Sequence, residues 1–391
     1  GFCTGSCAGL SIPVAQRFGA QDEDNLRRYV ANSAWIALAM SVVITIVTVL
    51  LARNILVWMQ TPENILEDAY AYFVVILAGI PTTILYNLAS SIMRALGDSR
   101  RPLYFLILSS ALNVVLDLVF ILNFHMGCAG AAWATILSQL VSGVLCVVYM
   151  AKKLPILRMD RAQWRPSAPH IKTLCGMGFP MGLQNSITAI GSVILSSSVN
   201  TLGSTAVASM TAASKVQMIF NCAYDAMGTT MATYCGQNLG ARKLSRIGKG
   251  LRCAMGIMIG YSVVSLIVLY FLGTTIALLF VSPEETEILS NAHIFLVINS
   301  ATSFLLAFVI NFRYVIQGLG FSNYALFAGL FEMVARTLVA LLVPHLGFPG
   351  ACLANPAAWL AADCFLIPCY FAVMRKIRSR VQEVPDIPLP I

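Results

Sequence analysis

Four acidic residues stand in stretches that are otherwise apolar: Asp117 in SSALNVVLDLVFIL, Asp225 in FNCAYDAMGTT, Glu332 in AGLFEMVARTLV and Asp363 in AADCFLI. An ionised carboxylate at mid-bilayer costs about 2.5–3.5 kcal/mol. Each is therefore a functional candidate if these stretches cross a membrane. Ser110, Asn113 and Asp117 share a helical face. The Asn113 amide can hydrogen-bond a carboxyl in either protonation state, so Asp117 can exchange a proton for a cation. Asn221, Asp225 and Thr229 form a second such face, a second candidate for the coupling ion or a cationic substrate. Glu332 lies four residues before Arg336, the favoured order for an intrahelical pair, and reads as a structural ion pair or gate. Asp363 reads as a helix-packing or vestibule residue. Gln184 and Asn185 follow Pro180, which frees backbone carbonyls, and so read as a cavity lining. Met218 is a further lining candidate, since methionine adapts its shape.

The elements carrying these residues must be membrane helices. The 391 residues are 58% hydrophobic and only 11% charged, where a soluble domain carries roughly 25% charged residues. Mean hydropathy is +0.79. Residues 29–52, 69–93, 127–151 and 253–281 contain no Asp, Glu, Lys or Arg, and each exceeds the roughly 20 residues a spanning helix needs. Eleven spans are expected, the first partial: about 1–16, then 29–52, 69–93, 103–124, 128–151, 178–200, 205–235, 253–280, 289–312, 324–343 and 350–374. The eleven cysteines are scattered singly without C-x-x-C, as packing residues rather than metal ligands. The four histidines are far apart, against an enzyme, and no Walker-type G-x-x-x-x-G-K-S/T occurs. No cofactor or metal is expected.

The basic residues sort by side. Of 25 Lys and Arg, all but Arg53, Lys215 and Arg336 fall on one face of the expected topology. They include Arg17, Arg94, the linker KKLPILRMDRAQWRPSAPHIK, Arg242, Arg313, and Arg375 to Arg380. The opposite loops carry Glu63, Glu67, Asp68, Glu284, Glu285 and Glu287. The positive-inside bias makes the basic face, and the C-terminus, cytoplasmic. The net charge of +8 thus concerns orientation and anionic lipid; no nucleic-acid partner is expected. Lys215 is expected to snorkel.

The glycine turns occur twice. AQRFGA, with Gln16 and Gly19, matches GQNLGA, with Gln237 and Gly240. TPE at 61–63 matches SPE at 282–284. RALGDS, with Gly97 and Asp98, matches QGLGFS, with Gly320. HMGCAGA matches HLGFPGA. Four anchors in the same order at offsets of 220 to 223 residues are an internal repeat. An even number of spans separates the copies, so the halves form a parallel repeat about an axis along the membrane normal. Glycine is expected to supply the backbone freedom at each turn. Lobes are expected at 1–151 and 173–375, joined by a linker at 152–172 and followed by a tail at 376–391. Gly1 aligns with Cys222, midway along a helix. The first lobe is therefore expected to hold about 4.5 of six helices, as an N-terminally truncated twelve-helix protein.

With PVAQRFGAQDEDNLRR, its partner ATYCGQNLGARKLSR, MRALGDSRRP and VIQGLGFSN, the chain resembles the multidrug and toxic compound extrusion (MATE) family over nearly its whole length. The resemblance implies two six-helix lobes around a central cavity and export of organic compounds by proton- or sodium-coupled antiport. It also implies an acidic cation site in the helix of Asp117. The expected partners are a small organic substrate, a coupling cation and the lipid bilayer, for a monomer in the plasma (inner) membrane. The alternatives are a lipid-linked oligosaccharide or polysaccharide flippase of the same superfold, or an inactive truncated relic. A pyrophosphate cavity needs several basic residues, and only Lys215 and Arg336 lie within the expected spans.

Overall fold

The computed structural model describes residues 1–59, 61 and 63–383, with side chains to residue 379. Pro62 of the TPE anchor, the Arg380 side chain and residues 384–391 of the expected tail lie outside the described residues. The chain is all-helical: α1 (Phe2–Gly19), α2 (Glu23–Trp58), α3 (Leu66–Ala78), α4 (Ile80–Ala95), α5 (Arg100–Leu118), α6 (Gly127–Lys153), α7 (Ala168–Asn200), α8 (Ser204–Gly240), α9 (Leu244–Ala277), α10 (Thr286–Ala301), α11 (Ser303–Gly318), α12 (Ser322–Cys352) and α13 (Ala354–Glu383). Among the described residues, seven helical spans are long and apolar enough to cross a membrane, or eight if the bent pair α10–α11 counts as one. Their exteriors stay apolar: Leu50, Val114 and Phe271 are all exposed. Water would penalise such surfaces, whereas a hydrocarbon core solvates them. The polar-rich helices α1, α7 and α8 fall outside that set.

The chain divides into two compact units: residues 3–178, and residues 179–391 together with Gly1 and Phe2. The first unit extends past the expected boundary at 172 because the linker is pinned to α2. Arg27 Nε donates to the Ile156 carbonyl at 2.8 Å, and the Ser167 amide donates to Asn32 Oδ1 at 2.9 Å.

The repeat persists in backbone detail. The expected span 69–93 breaks between α3 and α4 at Gly79, and the expected span 289–312 breaks between α10 and α11 at Thr302 with a 50° bend. Gly127 and Gly347, at the two H-x-G turns, both take positive φ, +55° and +66°. Four helix ends close with the same pair of hydrogen bonds. After α4, the Gly97 amide reaches the Arg94 carbonyl at 2.9 Å and the Asp98 amide the Met93 carbonyl at 3.0 Å. Gly320 and Phe321 repeat this after α11, and Gly97 and Gly320 have φ of +91° and +92°. These are Schellman ends, which need one left-handed residue.

The QxxGA turns depart from expectation. Gly19 and Gly240 end their helices without positive φ. The left-handed positions are Gln21 (φ 57°) and Arg242 (φ 56°), whose neighbours Asp22 and Lys243 donate back to Arg17 and Asn238 at 3.1 and 2.9 Å. These two side chains therefore bear a backbone cost that glycine would not. Asp98 starts the next helix instead of merely decorating a turn, since its Oδ1 accepts from the Arg101 amide at 3.1 Å.

Candidate functional site

In the first unit, α5 packs against α6 and carries Asn113 and Asp117 half-buried on its face. Asp117 Oδ1 and Asn113 Nδ2 are both buried, and neither has a hydrogen-bond partner among the described residues. A buried polar atom left in this state carries a desolvation penalty of about 1–3 kcal/mol, which a bound cation or a transferred proton relieves. Ser110, expected on the same face, is exposed. The neighbouring Ser109 is buried instead and donates to the Ser138 carbonyl at 2.6 Å. Sequence reasoning passed over a second polar pair in this unit, the Thr83 hydroxyl donating to Gln139 Oε1 at 2.6 Å across α4 and α6.

In the second unit the polar groups converge more closely. Glu332 and Arg336 are both buried, but Glu332 does not take Arg336 as its ion-pair partner. It pairs with Arg313 Nη2 from α11. The expected intrahelical pair is thereby corrected: Arg336 Nη1 instead donates to the Thr188 carbonyl of α7 at 3.4 Å. The placement of Arg313 at a wet face is corrected with it. Arg313 is only 6% exposed. It lies seven residues before Gly320, and seven residues at 1.5 Å rise carry it about 10 Å inward from the turn.

Gln184 is buried and accepts a 2.7 Å hydrogen bond from Gln317 Nε2 of α11, close by sequence to Arg313. Asp363 of α13 is 4% exposed, lies within electrostatic reach of Arg313 and Glu332, and neither of its carboxylate oxygens has a hydrogen-bond partner among the described residues. Asp225 lies on the exposed side of α8, also within electrostatic reach of Arg313. Arg313 is thus the centre of a cluster drawn from α7, α8, α11, α12 and α13, in which it faces three carboxyls while the buried Arg336 lies within electrostatic reach of both Glu332 and Arg313. The sequence signal for Asp363 was its isolation in an apolar stretch, but its neighbours come from other helices.

The remaining expected cavity residues separate. Asn221 Oδ1 accepts from Gln217 Nε2 at 3.3 Å, and Thr229 donates to the Ala226 carbonyl at 3.0 Å, so neither side chain bonds Asp225. Asn185 turns away from Gln184 and donates to the Gly1 carbonyl at 3.2 Å. Met218 is exposed. Lys215 sits with Nζ 5.7 Å from the Phe280 ring centroid, an exposed cation against an aromatic face. Near the cluster two glycines let α8 and α11 approach closely. A Cβ on Gly228 would stand 2.6 Å from Tyr314, and one on Gly318 would collide with the Ala232 carbonyl. Among the described residues no three His, Cys, Asp or Glu side chains gather as a metal site.

A polytopic helical membrane protein in two lobes, with ionisable side chains held inside its spans, is the class that this fold and site define. The chain belongs to the MatE family, whose match covers residues 1–119 and 180–342. It is 27% identical over 294 residues to the probable multidrug resistance protein YoeA of Bacillus subtilis (strain 168), covering 73% of this chain and 63% of that protein. It is 32% identical over 242 residues to the probable multidrug resistance protein YpnP of the same strain, covering 61% of this chain and 53% of that protein. The chain therefore spans less than two thirds of the length of these relatives. Solved structures share the fold: a MATE protein in its bent conformation (TM-score 0.88, 23% identity, 96% of this chain and 85% of that one) and an outward-facing multidrug resistance MATE transporter (TM-score 0.86, 23% identity, 98% and 84%).

Proposed function

We propose that this chain is part of, or constitutes, an exporter of small organic compounds that exchanges them for an inward-moving cation, a proton or sodium. The observation that carries the reading is a pair of carboxyls with buried oxygens that lack a hydrogen-bond partner among the described residues, Oδ1 of the half-buried Asp117 in one lobe and both oxygens of Asp363, beside Arg313, in the other. Each is a place where a proton or small cation can bind and leave. The names of the relatives support organic compounds as cargo. The basic-residue asymmetry supports an inner-membrane protein with a cytoplasmic C-terminus. The energy suffices: a charge moving through 100 mV gains about 2.3 kcal/mol, and one pH unit adds about 1.36.

The test is reconstitution into vesicles with an imposed proton or sodium gradient and ethidium as cargo. Gradient-driven ethidium movement is expected for the parent, with loss in Asp117→Asn at unchanged membrane insertion. Full transport by Asp117→Asn removes that residue from the coupling role, and no transport by the parent under either gradient removes the reading. One observation favours a second reading. Arg313 joins Arg336 as a buried guanidinium, each with an Nε lacking a partner among the described residues. Two such groups suit an anionic lipid-linked cargo better than the sequence suggested. Transport of a pyrophosphate-linked lipid in place of ethidium selects it.

A further inference from the structure

A cavity of about 270 Å³ lies within the first unit, between α2, α4 and α6 and beneath the inter-lobe linker. Its walls are apolar, formed by Ala34, Leu88, Ile92 and Met150, and it is roofed by Leu157 and Trp164. The roof is fixed to α2. Besides the Arg27 and Asn32 bonds, Trp35 Nε1 donates to the Trp164 carbonyl at 2.9 Å and Gln163 Nε2 to Asp24 Oδ1 at 2.9 Å. Trp35 and Trp164 are each 43% exposed, as tryptophans at a membrane–water interface are. The roof segment is strongly basic. Lys152, Lys153, Arg158, Arg161 and Arg165 are all exposed, and among the described residues none has an ion-pair partner. Asp160 is the one acidic residue between them.

We propose that this cavity holds an acyl chain of an anionic phospholipid, whose headgroup phosphate is bound by the basic linker above it. The two halves of the site fit the two halves of such a lipid, an apolar slot continuous with a positive rim. Juxtamembrane basic clusters attract anionic headgroups, and the attraction falls off within a Debye length. The same rim repels an organic cation and gains little from a zwitterionic lipid. The site is confined to the first unit and is independent of whether the chain transports.

The experiment places the full chain in phosphatidylcholine nanodiscs containing a minor fraction of phosphatidylglycerol, with bromine on the acyl chains of one lipid or the other. Tryptophan fluorescence is read, and the difference from Trp164→Phe isolates the roof residue. Brominated phosphatidylglycerol is expected to quench Trp164 several-fold more than brominated phosphatidylcholine at equal mole fraction. Ala34→Phe, which fills the slot, is expected to remove that excess. If Ala34→Phe fails to fold, Arg158→Gln/Arg161→Gln/Arg165→Gln serves instead, since these exposed side chains make no ion pair among the described residues. That variant is expected to quench equally with both lipids. Equal quenching in the parent, or a preference that survives loss of the three arginines, overturns the proposal. Release of the quenching by added ethidium assigns the cavity to exported cargo and likewise overturns it.

Discussion

Glu332→Gln removes the anionic partner of Arg313 while keeping the volume of the side chain. Arg313 is 6% exposed and Glu332 2%, so water cannot replace the lost charge. Breaking a buried pair from one side costs about 3–5 kcal/mol. The lower end is expected here, because Asp363 and Asp225 already stand within electrostatic reach of Arg313 and take up part of its charge. A double-mutant cycle separates the two possible partners. Glu332→Gln with Arg313→Met should recover most of the loss, with a coupling energy of about 1.5–3 kcal/mol, within the range for residues in one network. Glu332→Gln with Arg336→Met should show a smaller coupling, because Glu332 acts on Arg336 through its charge alone while the Arg336 guanidinium bonds the Thr188 carbonyl. Unfolding is followed in detergent by helical signal against denaturant. A larger coupling to Arg336 than to Arg313, or a Glu332→Gln cost below about 1 kcal/mol on the buried-pair scale, refutes the reasoning.

Two further predictions concern backbone and linker. Gly97→Ala meets no atom within 4 Å, so its expected cost of about 1–2 kcal/mol is backbone strain alone. Gln21→Gly is expected to stabilise by up to a similar amount at the left-handed end of α1; thermal melts of both variants check this. His170, outside the expected span, has its pKa lowered by burial first and by Arg28 and Arg17 second, against the opposing effect of Asp24 and Asp22. Its neutral ring contacts Ser167 Oγ at 2.8 Å and Asn25 Oδ1 at 3.3 Å. A depressed histidine pKa means the unfolded linker binds more protons. The linker attachment is thus expected to be full above the ordinary histidine pKa of about 6.5 and to weaken as pH falls through the lower folded value. Limited proteolysis at the linker across pH 5–8 reads this, and a His170→Gln variant should flatten the profile.

Much of the fold was legible because membrane helices announce themselves by length and apolarity, and because the repeat compares one half with the other. The offset separating Gly97 from Gly320 survives as nearly the same positive φ at both. The QxxGA turns were located correctly, but the residue taking the left-handed conformation was not, since Gln21 and Arg242 carry no compositional mark of it. The candidate site was legible on single helices and obscure across them. Asn113 and Asp117 could be placed together because they lie one turn apart. The pairing of Glu332 depended on which face α11 turns to α12, and a four-residue spacing to Arg336 offered a plausible local partner that the packing does not use. Asp363 gained its meaning only from Arg313, fifty residues away. The backbone repeat also conceals divergence. The same offset sets Asn113 against Arg336, so equivalent places in the two lobes carry different chemistry.

The central claim is that buried carboxyls exchange a coupling ion when cargo binds. Difference infrared spectroscopy of the reconstituted chain tests it most directly, by following the carboxyl C=O band on addition of sodium and of ethidium. A change in that band is expected for the parent, with the Asp117 component absent in Asp117→Asn and the Asp363 component absent in Asp363→Asn. A band that does not respond to sodium, proton or cargo, or one that responds identically in both variants, contradicts the account.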